Sequence, residues 1–291
     1  MVLLSERCKV LLAPARRLEL WPYRGLIRQL AARDLKARYK VSALGFFWSL
    51  LRPMLTIAVL AGVFSMMGLQ SARYAVSYPV FLLAAYMPWF YFSMGLMEGV
   101  HSLLGNSHLV KKVYCPRAVF PAAVVLANLV NYLLSFFVLL PILYVLPLAR
   151  PAWTLLQLPL AVAALTAFLL GLCFIGSVLN VLYRDTTQIV EFLVFIWFYL
   201  SPVLYDVCDV SSKLPRYGVY FYFLNPMAGL LEWHRYAFLS AHLNMNHPES
   251  AAVNGFITHC AIPYAATVSL LALWGGYRLL KRLETRAVDE M

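Results

Sequence analysis

A chain of 291 residues that is 62% hydrophobic and 13% charged lies outside the range of soluble domains, which are roughly half apolar and a quarter charged, and reads as a polytopic membrane protein. Its net charge of +11 does not point to nucleic acid, because the cations cluster beside apolar runs instead of forming a solvated basic face with reading groups. Cys8, Cys115, Cys173, Cys208 and Cys260 are scattered without a CxxC pair, which argues against a disulfide framework or a structural zinc site.

Residues 1–22 carry Arg7, Lys9, Arg16 and Arg17, and their apolar cluster at 10–13 is too short for the core of a cleavable signal peptide. The N-terminus is therefore expected to stay in the cytoplasm. From there Tyr23, Leu26, Ile27, Leu30 and Ala31 recur at helical spacing, with Arg28, Arg33 and Lys36 on the opposite side. The pattern predicts an amphipathic helix lying in the membrane interface, held by Arg28, Arg33, Lys36 and Arg38. An ordinary solvated helix is the alternative, because Asp34 and Arg38 interrupt the stripe.

The stretch 33–53 turns from a charged run into an apolar one whose only charge is Arg52, and this fixes the sidedness of the chain. Runs of about 20 residues without a charge locate the spans. They fall at 44–68, within 74–97, within 118–149, within 151–183, at 186–205 with Glu191 inside, and within 250–277. Six spans put both termini on one side. Of the 24 Lys and Arg residues, all but Arg73, Arg150, Lys213, Arg216 and Arg235 then lie on the inner side, as the positive-inside rule requires. Between the last two spans, 217–231 is uncharged, too short to cross, and broken by Asn225-Pro226. It suits a re-entrant helical hairpin, with an ordinary outer loop as the alternative. Pro53, Pro88, Pro121, Pro141 and Pro159 predict kinks or ends within the spans.

The order of pieces carries a resemblance. Arg33-Asp34-Leu35-Lys36-Ala37-Arg38-Tyr39 leads into Leu44-Gly45-Phe46-Phe47-Trp48-Ser49-Leu50-Leu51-Arg52-Pro53. An inner loop then reads Leu109-Val110-Lys111-Lys112-Val113-Tyr114-Cys115-Pro116-Arg117, and a Tyr183-Arg184-Asp185 turn follows. Trp197-Phe198-Tyr199-Leu200-Ser201-Pro202-Val203-Leu204-Tyr205 and Leu224-Asn225-Pro226-Met227-Ala228-Gly229-Leu230 complete the set. Together these resemble the ABC-2 type permeases that export O-antigen, teichoic acid and related polysaccharides, over about residues 23–283. Arg52 departs from the neutral residue common before the proline, and Cys115 stands where an aromatic is common.

The resemblance implies an all-α integral membrane protein with a cytoplasmic N-terminus over 1–43, a six-span domain over 44–283 and a cytoplasmic tail over 284–291. It implies a homodimeric half-transporter in the bacterial inner membrane, moving a polyprenyl-pyrophosphate-linked polysaccharide outward. No GxxxxGK[ST] occurs in the chain, so ATP and Mg are expected on two separate nucleotide-binding subunits. The inner loop is the implied contact with them, through His108, Lys111, Lys112, Val113, Tyr114, Pro116 and Arg117, with Arg184 and Asp185 as a second turn. Read without the resemblance, Lys111, Lys112 and Arg117 are positive-inside residues that touch nothing, and the Arg184-Asp185 turn has the same alternative.

For the substrate path, the resemblance implicates the first and fifth spans, with Phe46, Phe47, Trp48 and Arg52 near the inner mouth. In the fifth span Phe192, Phe195, Tyr199 and Pro202 fall at steps of three and four, a face that could stack on sugar rings or anchor in lipid. Glu191 is costly inside a span unless it faces protein or water. It pairs with Arg184, Arg52 or a partner chain, or sits at headgroup level, and the sequence does not choose among these. An exporter of a smaller lipid or drug is the nearest alternative function. A membrane enzyme of lipid-linked sugar assembly is the other, but the acidic residues are dispersed. Asp206 and Asp209 read as a solvated loop, and His242 and His247 miss the i, i+4 spacing of a helical metal site, so no metal is assigned.

Overall fold

The computed structural model describes residues 20–39, 47–66, 73–112, 115–145, 152–208, 221–243 and 250–290. Among them the regular structure is helical, apart from one antiparallel bridge joining Tyr74 to Leu243. Helix α1 spans Arg24–Tyr39, α2 Phe47–Met66, α3 Tyr78–Gly105, and the short α4 Ser107–Lys112. Then come α5 (Val119–Val145), a 3-10 turn (Trp153–Gln157) running into α6 (Leu158–Leu182), and α7 (Thr186–Leu200). Last are α8 (Pro226–Leu239), α9 (Ser250–Phe256), a π-helical turn (Ile257–Ala261) and α10 (Ile262–Asp289).

Among the described residues, four stretches are long and apolar enough to cross a membrane: Tyr78–Gly105, Val119–Val138, Trp153–Leu182 and Ala252–Arg286. The predicted first and fifth spans are the shorter apolar helices Leu50–Met66 and Thr186–Leu200. Pro53 and Pro88 lie inside α2 and α3, whereas Pro159 stands in the first turn of α6, where a missing N–H costs nothing.

Helix α6 is the centre of the bundle and packs most extensively on α10 and α3, while α3 in turn carries α5, α2 and α8. At the α6–α10 crossing two glycines meet: a Cβ on Gly276 would lie 2.2 Å from the Gly171 carbonyl oxygen, and one on Gly171 2.4 Å from the Ala272 carbonyl. Backbones that approach so closely gain dispersion contact in lipid, where no hydrophobic force pulls helices together. Phe92, Leu165, Leu169 and Cys173 fill the core beside them, all fully buried.

The apolar stripe of α1 packs on protein. Leu30 and Ala31 are buried, and Tyr23, Leu26 and Ile27 lie against a cluster built from Val110, Val119, Phe120 and Leu280. The sequence predicted a stripe facing the membrane interface; it faces the N-terminal end of α5 and the C-terminal half of α10 instead. Helix α8 shows why Asn225-Pro226 interrupts the apolar run. Asn225 caps the helix, accepting from Met227 N at 3.0 Å and from Trp197 Nε1 at 2.8 Å, and Pro226 occupies the first turn. Nearly every α8 side chain is buried. Most of the other arm of the predicted hairpin lies outside the described residues.

Candidate functional site

Charged groups gather at both ends of the bundle. At the end bearing the basic N-terminal helix, here called inner, a cavity of about 460 Å³ opens between α1, α2, α3 and α5. Arg38, Arg52, Glu98, Asn128 and Tyr132 supply its polar wall, and Met87, Phe90, Met94 and Trp48 much of the apolar one. Arg38 reaches it from the last turn of α1, donating to the Glu98 carboxylate and, at 3.2 Å, to Asn128 Oδ1. Asn128 in turn donates to Glu98 at 2.7 Å and to the Val124 carbonyl at 3.1 Å. The three residues thereby bind α1 to α3 and α5.

Arg52 is exposed on α2, and no described residue pairs with its guanidinium. Tyr132 stacks on Tyr91 with ring centroids 5.0 Å apart. The Tyr91 hydroxyl meets Thr166 Oγ1 at 3.1 Å, whereas the buried Tyr132 hydroxyl has no hydrogen-bond partner.

At the opposite, outer end, four fully buried charged residues come together from segments far apart in sequence. Glu232 of α8 pairs with Arg73 and with Arg235, and Asp206 accepts from Arg73 N at 3.2 Å and lies 3.8 Å from its Nε. Arg235 also donates to the carbonyls of Pro202 at 2.7 Å and Val203 at 3.3 Å, and its guanidinium sits 4.0 Å from the Phe81 ring centroid. Burial opposes the Arg73 charge, but Glu232, Tyr74 and Asp206 outweigh it and hold the guanidinium protonated above its ordinary range. Two cations offset two carboxylates, the condition for burying any of them.

This cluster corrects two expectations. Asp206 is buried and paired, not part of a solvated loop, and Pro202 is buried beyond the end of α7, off the face it was expected to share with Phe192, Phe195 and Tyr199. Those three aromatics are indeed on one exposed face, each more than half accessible. Of all α7 residues, only Thr186 is buried. Phe47 and Trp48 are exposed on α2, and Phe46 lies outside the described residues. Glu191 is exposed, and among the described residues neither Arg184 nor Arg52 pairs with it.

Of the inner-loop residues, His108 is exposed at the start of α4, Lys111 and Lys112 end that helix, and Val113 and Tyr114 lie outside the described residues. Pro116 is half-buried. Arg117 turns inward: its backbone N donates to Glu284 at 3.1 Å, its Nε lies 3.8 Å from the same carboxylate, and Nη1 reaches the Cys115 carbonyl at 3.0 Å. Burial pushes the Cys115 thiol up, against the pull of Arg117. Arg184 and Asp185 are exposed in the turn before α7. On α1, Arg28 and Lys36 are exposed, while Arg33 pairs with Asp34 and donates to Asn106 Oδ1 at 2.7 Å.

Sequence reasoning missed Glu98, Asn128 and Tyr132 at the inner cavity and Arg73, Glu232 and Arg235 at the outer cluster. The argument that singled out Glu191 applies equally to Glu98, a carboxylate at the edge of an apolar run, and to the Glu232/Arg235 pair one helical turn apart.

The arrangement of α1 to α8 coincides with a known domain: the family model for the ABC-2 type transporter matches residues 25–239. The chain belongs to this family. Among curated ABC-2 relatives, an O-antigen export system permease protein of Myxococcus xanthus is 33% identical over 261 residues, covering 89% of this chain and 92% of its own. One of the same description from Klebsiella pneumoniae is 27% identical, covering 80% and 87%. A polysialic acid transport protein of Escherichia coli is 22% identical, covering 89% and 93%. As an ABC-2 permease, this multi-pass chain carries its inner cavity and outer cluster within the matched domain, while Arg117 of the inner loop is anchored by Glu284 from beyond it.

Proposed function

We propose that the chain is the membrane subunit of an ATP-driven exporter of lipid-linked polysaccharide in the bacterial inner membrane. Two copies, each with six spans and inner termini, form the path, and two separate ATPase subunits drive it. The observation that carries this reading is the ABC-2 match over most of the chain together with polysaccharide exporters as relatives across nearly its full length. The missing phosphate-binding loop supports a separate ATPase.

The aromatic faces of α2 and α7 support the dimeric path. Both helices leave Phe47, Trp48, Phe192, Phe195 and Tyr199 exposed, and flat rings offer a moving glycan stacking surface with few directional bonds to hold it. Helix α8, enclosed by α3, α6 and α10, is the second arm of a re-entrant outer hairpin. His108, Lys111 and Lys112 of α4 belong to the contact with the ATPase. Arg117 acts indirectly, by fixing the loop to α10.

At the inner mouth Arg52 attracts the diphosphate of the carrier lipid. In cells, Arg52→Ala is expected to insert normally and lose most export, so that lipid-linked polymer accumulates at the inner face while surface polymer falls. Normal surface polymer in that variant would remove Arg52 from the mechanism.

A further inference from the structure

We infer that the inner cavity of each protomer is a binding site for the phosphate head of an anionic membrane lipid, held by Arg38 and Arg52 with Tyr132 as a neutral donor. This deepens the exporter reading, on which only the identity of the lipid rests.

Two guanidinium groups face one carboxylate around the cavity, so its wall favours an anion. Arg52 has no partner among the described residues, and Tyr132 holds a buried hydroxyl with nothing to bond, 4% exposed as a residue and lining the same space. A buried hydroxyl without a partner is rare, and a phosphate oxygen supplies an acceptor both to it and to the Arg52 guanidinium. A volume of about 460 Å³ lies within the range of small-ligand sites and holds a phosphate or diphosphate with the first carbons of its tail. Met87, Phe90, Met94 and Trp48 supply an apolar surface for those carbons.

Glu98 gives the site its control. It pairs with Arg38, and an incoming phosphate competes for the same guanidinium while Asn128 keeps the carboxylate bonded. Because Arg38 belongs to α1 and Glu98 to α3, an occupied site loosens the contact between the N-terminal helix and the bundle.

The test is native mass spectrometry of the full chain, purified in detergent and titrated with a long-chain polyprenyl diphosphate, phosphatidylglycerol or phosphatidylcholine. Arg52→Gln is expected to weaken binding of the polyprenyl diphosphate about tenfold, and Tyr132→Phe by a few-fold. Glu98→Gln is expected to tighten it, since the competing carboxylate is gone. A preference for the diphosphate over phosphatidylglycerol identifies the carrier as the ligand. Equal binding of the two, with the same dependence on Arg52 and Tyr132, identifies bulk anionic lipid and leaves the phosphate site standing.

Unchanged affinity in both Arg52→Gln and Tyr132→Phe, or weaker binding in Glu98→Gln by a protein of undiminished thermal stability, overturns the site. Failure of the exporter reading is separate. It would appear as the absence of an ATPase partner in native membranes, with the pattern of lipid binding unaffected.

Discussion

The outer cluster shows how much depends on single charged side chains. Glu232 holds both Arg73 and Arg235, so removing its charge leaves two buried guanidinium groups with only Asp206 to offset them. Breaking a buried pair from one side costs about 3–5 kcal/mol, much more than exchanging the whole pair for apolar groups. Glu232→Gln should therefore lower the detergent melting temperature sharply, and Glu232→Met combined with Arg235→Met should restore part of the loss. Equal or greater loss in the double variant would mean that the cluster is not held by charge balance.

Beyond the i, i+3 spacing of Glu232 and Arg235, little of this was legible beforehand. Arg73 lies more than a hundred residues from both Asp206 and Glu232, and the positive-inside rule sorts cations by side without saying which are buried. The same holds for Arg38, whose interruption of the α1 stripe was visible but whose partner on α3 was not.

Among the elements, the long apolar runs were read well, because a charge-free stretch of about 20 residues is a physical requirement of crossing hydrocarbon. Helices α3, α5, α6 and α10 fall where those runs are. What the runs do not contain is which helices touch. The α6–α10 crossing depends on Gly171 and Gly276, over a hundred positions apart. Gly171→Ala is expected to cost about 1–3 kcal/mol by forcing the two backbones apart. Gly275→Ala, next to the crossing but with nothing within 4 Å of the added Cβ, should be close to neutral. Comparing the two by thermal unfolding in detergent separates helix packing from the general effect of a methyl group. Indistinguishable melting temperatures would mean that the crossing is not tight. The Asn225-Pro226 break in the apolar run coincides with the cap and first turn of α8.

At the scale of the whole molecule, the bundle has a firm interior in α3, α6, α8 and α10 and two loosely attached helices, α2 and α7, whose large apolar side chains face outward. Such a division suits a half-transporter that completes its path with a second copy. The inner loop is tied to α10 through Arg117 and Glu284, so under the proposed function a partner subunit gripping it would act on the rigid part of the fold. The placement of the exposed aromatics on α7 followed from helical periodicity alone, whereas the inward role of Arg117 did not.

The central claim, a membrane subunit driven by a separate ATPase through its inner loop, is tested most directly by purifying the chain from native membranes and identifying what accompanies it. The account predicts one ATPase subunit per copy, retained by the wild type and lost when Lys111 and Lys112 are replaced together by Glu, with the permease still inserted. A chain that purifies alone and turns over a lipid-linked sugar would contradict it.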